Sequence, residues 1–380
     1  MNERIYLDNN ATTPLDPAAR KAMIEVLCSF PKNPSSVHFF GREGKKMLTK
    51  SRQTIAEYLK VQPNEIFFTS GGTEGLNLLI RGALKPPLSR IIASPIDHSA
   101  VYETLKHLEA QKRATLTYLP IDSFGAPTPE ALEQALQSNP DLIVLSAANS
   151  ETGVKIDREA IARCAEKRKV PLILDGVALL GKEPLTIPKG VLAMAFSAHK
   201  FHGPQGVGFV YIRSGFKVGP LFTGGGQEND LRPGTENLAG IVGMKKALTV
   251  CDLDWAGAHM DRLRSQFEWD LKQAIPQIEV NGTGERLPNT SHLYFPGVDA
   301  ESLLIALDMA GIAASYGSAC SSGSLQLSRP LLNMGYPRER VSASLRFSFS
   351  RMNTQEEEKK ATRILISLIH TLQTSSRLMQ

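Results

Sequence analysis

The chain has 380 residues, 42% hydrophobic and 21% charged. That balance argues against a disordered polypeptide and leaves room for a large core and two domains. The net charge of +5 is small for this length and Lys and Arg are scattered, so a basic nucleic-acid stripe is not read and no direct nucleic-acid partner is expected. Charges, Pro or Gly interrupt every apolar run, so no membrane span or membrane partner is expected either.

Apolar runs and amphipathic stretches alternate along most of the chain. The strand-like runs lie at 65–70, 90–94, 116–120, 142–146, 172–175, 193–197 and 208–212, and the helical patterns at 41–60, 74–84, 99–112, 129–138 and 157–169. This alternation predicts an α/β fold whose mostly parallel central sheet carries helices on both faces. The rhythm then changes: one long helical stretch over roughly 236–275, irregular strands, a loop around Cys320 and a closing helix from about 354. Thr354 and Glu357 give that last helix a capping-box start. The division expected is a large α/β domain over 15–248 and a smaller α+β domain formed by 1–14 and 249–380.

The opening M-N-E-R-I-Y-L-D has neither the basic start nor the apolar run of a signal peptide. Cys28, Cys164, Cys251 and Cys320 are spaced too irregularly for paired zinc ligands or a disulfide framework. No metal site, a reducing compartment and a cytoplasmic protein are therefore the expectation.

Chemistry concentrates at the strand ends. The run V-P-L-I-L-D ends on Asp175, and S-A-H-K ends on Lys200, 200 − 175 = 25 residues later, directly before a glycine-rich run. A lysine and an aspartate at the ends of neighbouring strands suit pyridoxal 5'-phosphate (PLP). The amine forms a Schiff base, and the carboxylate keeps the pyridine nitrogen protonated so that the ring accepts electrons. In T-S-G-G-T-E-G a strand feeds Gly71 and Gly72 and then a helix near Thr73, where free N–H groups and a hydroxyl suit a phosphate. Ser197 and His199 flank Lys200 and could donate to the same phosphate.

His98, past a strand and at a helix start, could stack on the ring and move protons; a capping role is the competing reading. Asn149 could bond the ring hydroxyl, or simply form a turn. The run 224–237 is either a flexible surface loop or the carrier of Thr235 toward a phosphate. Arg346 is either an ordinary exposed strand arginine or a bidentate grip on a substrate carboxylate. Cys320 sits among small residues and glycines in Y-G-S-A-C-S-S-G-S, which suits an accessible nucleophilic thiol. The other three cysteines fall in apolar helical patterns and read as core residues.

Together, Y-L-D-N-N-A-T-T-P, N-P-S-S-V-H, S-G-G-T-E, D-H-S-A-V, N-S-E-T-G, S-A-H-K, G-G-G-Q-E, R-P-G-T-E-N, G-S-A-C-S-S-G and R-F-S resemble the cysteine desulfurases of the NifS/IscS type, within the class V aminotransferase group of PLP fold-type I. The loop around Cys320 is similar to the long loop of the first desulfurase group. The resemblance implies that Lys200 holds PLP and shuttles the Cα proton, Asp175 pairs with the ring nitrogen, His98 stacks on the ring and Asn149 contacts its hydroxyl. Gly72, Thr73, Ser197 and His199 would bind the phosphate, joined by Thr235 from the other subunit of a homodimer. Arg346 would hold L-cysteine, and Cys320 would take its sulfur, releasing L-alanine and leaving a persulfide that serves iron–sulfur cluster assembly or tRNA thiolation through a sulfur-acceptor or iron–sulfur scaffold protein.

Two departures stand out. The family's D-x-x-Q is D-G-V-A here, which places Ala178 where a glutamine would contact the ring hydroxyl, and N-N-E is N-S-E. A selenocysteine lyase, a class V aminotransferase and a weakly active sulfur-transfer scaffold are the alternative readings.

Overall fold

The computed structural model describes residues 4–317 and 326–378. In chain order its elements are β1 (Ile5–Tyr6), α1 (Pro17–Leu27), α2 (Phe39–Leu59), β2 (Ile66–Thr69), α3 (Gly72–Gly82), β3 (Ser89–Ala93), α4 (Ser99–Ala110) and β4 (Ala114–Tyr118). There follow α5 (Pro129–Ala135), β5 (Leu142–Ser146), α6 (Arg158–Arg168), β6 (Leu172–Asp175), β7 (Val191–Ser197), β8 (Gly208–Ile212) and α7 (Leu238–Thr249). The last part comprises α8 (Leu253–Ala274), β9 (Glu279–Val280), β10 (Thr290–Tyr294), α9 (Ala300–Met309), β11 (Ile312–Ala313), α10 (Arg329–Asn333), α11 (Arg338–Ser342), β12 (Ser344–Ser348) and α12 (Gln355–Leu378).

Seven strands form the central sheet in the order β2-β8-β7-β6-β5-β3-β4. All run the same way except β8, which is antiparallel to both β2 and β7. Successive side chains of a strand point to opposite faces, and the core divides accordingly. Ile143, Leu145, Leu172, Leu174, Phe196 and Phe209 pack on the face covered by α1, α2, α6 and α7. Val144, Ile173, Ala193, Ala195 and Val210 pack on the other, under α3 and α4. Burial on both faces explains why these strands read as unbroken apolar runs.

A separate core gathers Ile5 and Leu7 with side chains of α8, α9, α12, β10 and β12. Its strands form an antiparallel sheet, β12-β10-β9, and a parallel β1–β11 pair. We propose, from these separate cores, that 15–248 and 1–14 with 249–380 are the two domains. The closing helix starts as expected: Thr354 Oγ1 accepts from Glu357 N at 3.1 Å and Glu357 Oε2 from Thr354 N at 2.9 Å.

Three expectations need correction. The stretch 236–275 is two helices, because the chain stops at Thr249 and restarts behind the Asp252 cap, whose carboxylate accepts from Trp255 N. Cys28, at the C-cap of α1, is exposed, Cys251 in the α7–α8 connection is only half-buried, and Cys164 is half-buried where α6 packs against the edge of the main core. The loop 224–237 is anchored. Glu228 takes two bonds from Arg52, at 2.6 and 2.8 Å, and one from Phe68 N, while Arg232 pairs with Glu74 at 2.9 Å. Among the described residues no helix is long and apolar enough to cross a membrane.

Candidate active site

β6 and β7 are hydrogen-bonded neighbours running parallel, so their carboxyl ends open on one side of the sheet. Asp175 closes β6, and Lys200 follows β7 in a single 3₁₀ turn, Ala198–Lys200. A cavity of about 430 Å³ lies there, lined by Asp175, Lys200, His98, Ser197, His199 and the Gly71–Thr73 turn. Ligands of open α/β sheets bind at such strand ends.

The far end of the cavity is built from the start of α3. Gly72 and Thr73 occupy its first turn, whose N–H groups face an incoming anion. Close packing dictates the glycine: a Cβ on Gly72 would sit 2.5 Å from Val177 Cγ2. Ser197 lies against this turn, its Oγ 3.5 Å from the Cβ position of Gly71. His199 Nδ1 lies 3.2 Å from Thr12 Oγ1. Burial and the nearby Lys200 hold the imidazole down to about 4, so it stays neutral at pH 7 and keeps one N–H donor.

Asp175 is 6% exposed. Burial pushes its carboxyl up, against the pull of His98, the Val177 N–H at 2.9 Å and Lys200. A buried carboxylate in this setting favours a cationic N–H partner. His98 caps α4, its Nδ1 accepting from Ala100 N at 3.1 Å, and it also lines the cavity. Lys200 Nζ donates to Asn10 O at 2.5 Å and Ala11 O at 2.9 Å, which ties the amine to the N-terminal segment.

The donor set fits PLP. A helix start with hydroxyls beside it, a glycine that admits no side chain, an acid at the neighbouring strand end and an amine share one cavity. Ala178 lines that cavity and offers only a methyl group.

Other expected residues stand elsewhere. Asn149 forms its own turn: Oδ1 accepts from Glu151 N and Thr152 N, both at 2.9 Å, and Nδ2 donates to Ile96 O at 3.0 Å, so the turn reading holds. Arg346 is buried, not an exposed strand arginine. It bonds Asp8 Oδ1 at 2.8 Å and Ser150 O at 3.1 Å, and Ser150 lines the cavity. Thr235 lies in a smaller neighbouring cavity that shares Ser70 and Gly206 with the main one. Cys320 lies outside the described residues.

Two buried residues in or near the site went unforeseen. Lys182 lines the cavity although a lysine after L-L-G carries no local signal of burial. Glu151 is buried against Ser328 Oγ, and burial pushes its carboxyl up; its place in N-S-E-T-G was the available hint.

The model of the family described as "Aminotransferase class-V" matches residues 5–360. A "Cysteine desulfurase" of Nostoc sp. (strain PCC 7120) is 39% identical over 98% of this chain and 94% of that protein. A solved "NIFS-LIKE PROTEIN" superimposes with a TM-score of 0.90 at 35% identity, over 97% of this chain and all of the other. A structure titled "SspA in complex with cysteine" does so with a TM-score of 0.80 at 26% identity, over 92% of this chain and all of the other. Matched over nearly its whole length by family, relatives and fold, the chain belongs to the class-V aminotransferase family.

Proposed function

We propose that this chain is a PLP-dependent cysteine desulfurase that takes sulfur from L-cysteine, releases L-alanine and keeps the sulfur as a persulfide on its own thiol. The observation that carries this reading is the single cavity uniting Asp175, Lys200, His98 and the Gly72–Thr73 helix start, in a chain whose relatives bear that name.

Bound there, PLP supplies an aldehyde that an amine can capture and a ring that draws electrons from the substrate. The remaining work falls to this chain's residues. Gly72, Thr73, Ser197 and neutral His199 would hold the phosphate. Asp175 would keep a proton on the ring nitrogen, stabilised by its own ionisation. His98 would cover the ring. Lys200 would capture the cofactor as a neutral amine and afterwards carry the substrate's Cα proton.

Arg346, already oriented by Asp8 and Ser150, would hold the substrate carboxylate. Cys320 would take the sulfur: the substrate C–S bond breaks, an S–S bond forms, and the hydrogens balance between thiol and alanine. L-cysteine plus thiol thus gives L-alanine plus persulfide with no added oxidant or reductant. Thr235 would reach the phosphate from a second copy of the chain in a homodimer. The persulfide would pass to a sulfur-acceptor or iron–sulfur scaffold protein in the cytoplasm.

The test is Cys320→Ala incubated with L-cysteine and a reductant. Sulfide and persulfide should vanish while the visible absorbance of the bound cofactor remains. Undiminished sulfide alongside alanine would sink the assignment of Cys320 and favour a lyase that needs no thiol acceptor.

A further inference from the structure

His98 follows the segment 94–97, which joins β3 to α4. Three consecutive carbonyls of that segment are taken up by side chains from elsewhere. Asn149 Nδ2 donates to Ile96 O at 3.0 Å. Arg329, the first residue of α10, donates through Nη1 to Pro95 O and through Nη2 to Asp97 O. The Asp97 carbonyl shares a planar peptide unit with the His98 N–H, so the guanidinium grips the link that carries the histidine. The guanidinium also lies over the Tyr102 ring, 3.9 Å from its centre, and Tyr102 sits one helical turn beyond His98 on α4. Arg329 therefore clamps the chain on both sides of His98.

An arginine suits this place for a geometric reason. Its planar fork reaches two carbonyls and leaves a flat face free to stack, whereas lysine is a single point of charge and cannot do both. The segment has further anchors that do not involve Arg329. Ile96 packs with Leu331, Met334 and Val341. Asp97 Oδ2 accepts from Ser94 N at 3.0 Å and Oδ1 from Ser146 N at 2.8 Å. Loss of the guanidinium should then release two carbonyls and the start of α4 without dismantling the loop. What shifts is the histidine, whose ring both caps α4 and lines the cavity.

We propose that Arg329 is a positioning residue for His98: by holding the peptide before it and the helical turn after it, Arg329 fixes the imidazole where it covers the cofactor ring. This rests on the reading of His98 as the residue over that ring. Arg329 itself touches no reacting atom in this scheme.

The test is a double-mutant cycle on the full-length holoenzyme, with Arg329→Met and His98→Ala made singly and together. Two signals are read: alanine release from L-cysteine and the visible circular dichroism of the bound cofactor, which an achiral ring takes from its asymmetric surroundings. His98→Ala should slow alanine release by about 10²–10⁴-fold. Arg329→Met should slow it by about 10–100-fold when His98 is present and by less than about twofold when His98 is gone. It should also move the dichroism toward that of His98→Ala, and the double variant should match His98→Ala. An equal loss in both backgrounds, or a rate and spectrum unchanged from the wild type, overturns the proposal. If Arg329→Met does not fold, Arg329→Lys, which keeps the charge but not the fork, goes through the same cycle under the same criteria. The two failures separate cleanly. A slow His98→Ala with an uncoupled Arg329 loss overturns this inference alone; His98→Ala with unaltered rate and dichroism overturns the reading beneath it as well.

Discussion

Asp175 and Lys200 are ordinary residue types made unusual by burial. In water a carboxylate and an ammonium ion are each well solvated; here the acid is pushed toward its neutral form and the amine is held by two backbone carbonyls. Each therefore depends on the partner a cofactor brings. Lys200→Ala should fail to retain PLP through gel filtration and should lower alanine release by about 10²–10⁴-fold, the range for a lost proton carrier. Asp175→Asn keeps the shape but not the charge, so cofactor should still bind while turnover falls by about 10²–10³-fold. Cofactor absorbance and alanine release, measured together, separate the two effects. Equal turnover in Asp175→Asn and the wild type would remove the carboxylate from the mechanism.

At the scale of elements, the site depends on how closely β8 approaches the turn before α3. β8 lies antiparallel between β2 and β7, which sets Gly208 opposite both Thr69 and Ser197. A Cβ on Gly208 would come 2.4 Å from Phe196 O and 2.8 Å from Gly71 Cα, and both of these are backbone atoms that no rotamer change can move. Gly208→Ala should therefore push the strand and the phosphate-binding turn apart. The expected cost is about 1–3 kcal/mol of stability, read from urea unfolding, together with weaker PLP retention. An unaltered unfolding midpoint would mean that the contact relaxes without strain.

Across the whole molecule, the N-terminal segment joins the two cores. Asn9 and Asn10 bond Ser348 and Thr290 in the small antiparallel sheet, while Asn10 O and the Thr13 N–H meet Lys200 and His199 O. That sheet also buries His292, which is 1% exposed and is held down to about 3 by burial, then by Arg346 and Arg340. The folded protein refuses a proton that the unfolded chain accepts below about 6.5. Stability from this group is complete above that value and is lost as pH falls toward the folded value. From about pH 7 to about pH 5 the loss is about 2 kcal/mol. His292→Gln should lack this component, so its stability relative to the wild type should improve by that amount over the same interval in urea titrations. A parallel pH response in both proteins would show that His292 is not the source.

Much of this was legible from local pattern. The alternation of apolar runs and amphipathic stretches, the Thr354–Glu357 cap and the strand-end positions of Asp175 and Lys200 are written in residues close together in the chain, where side-chain periodicity and hydrogen-bonding capacity act directly. Proximity between distant residues is not. The chain path alone made β6 and β7 neighbours, reversed β8, paired Arg346 with Asp8 across 338 positions and buried Lys182 beside Lys200. It also turned Asn149 into a turn-former and left Cys28 exposed. Solvation and electrostatic interaction depend on what surrounds a group in space. Sequence spacing could therefore nominate the reactive groups, while folding decided which of them share one cavity and how far burial shifts their protonation.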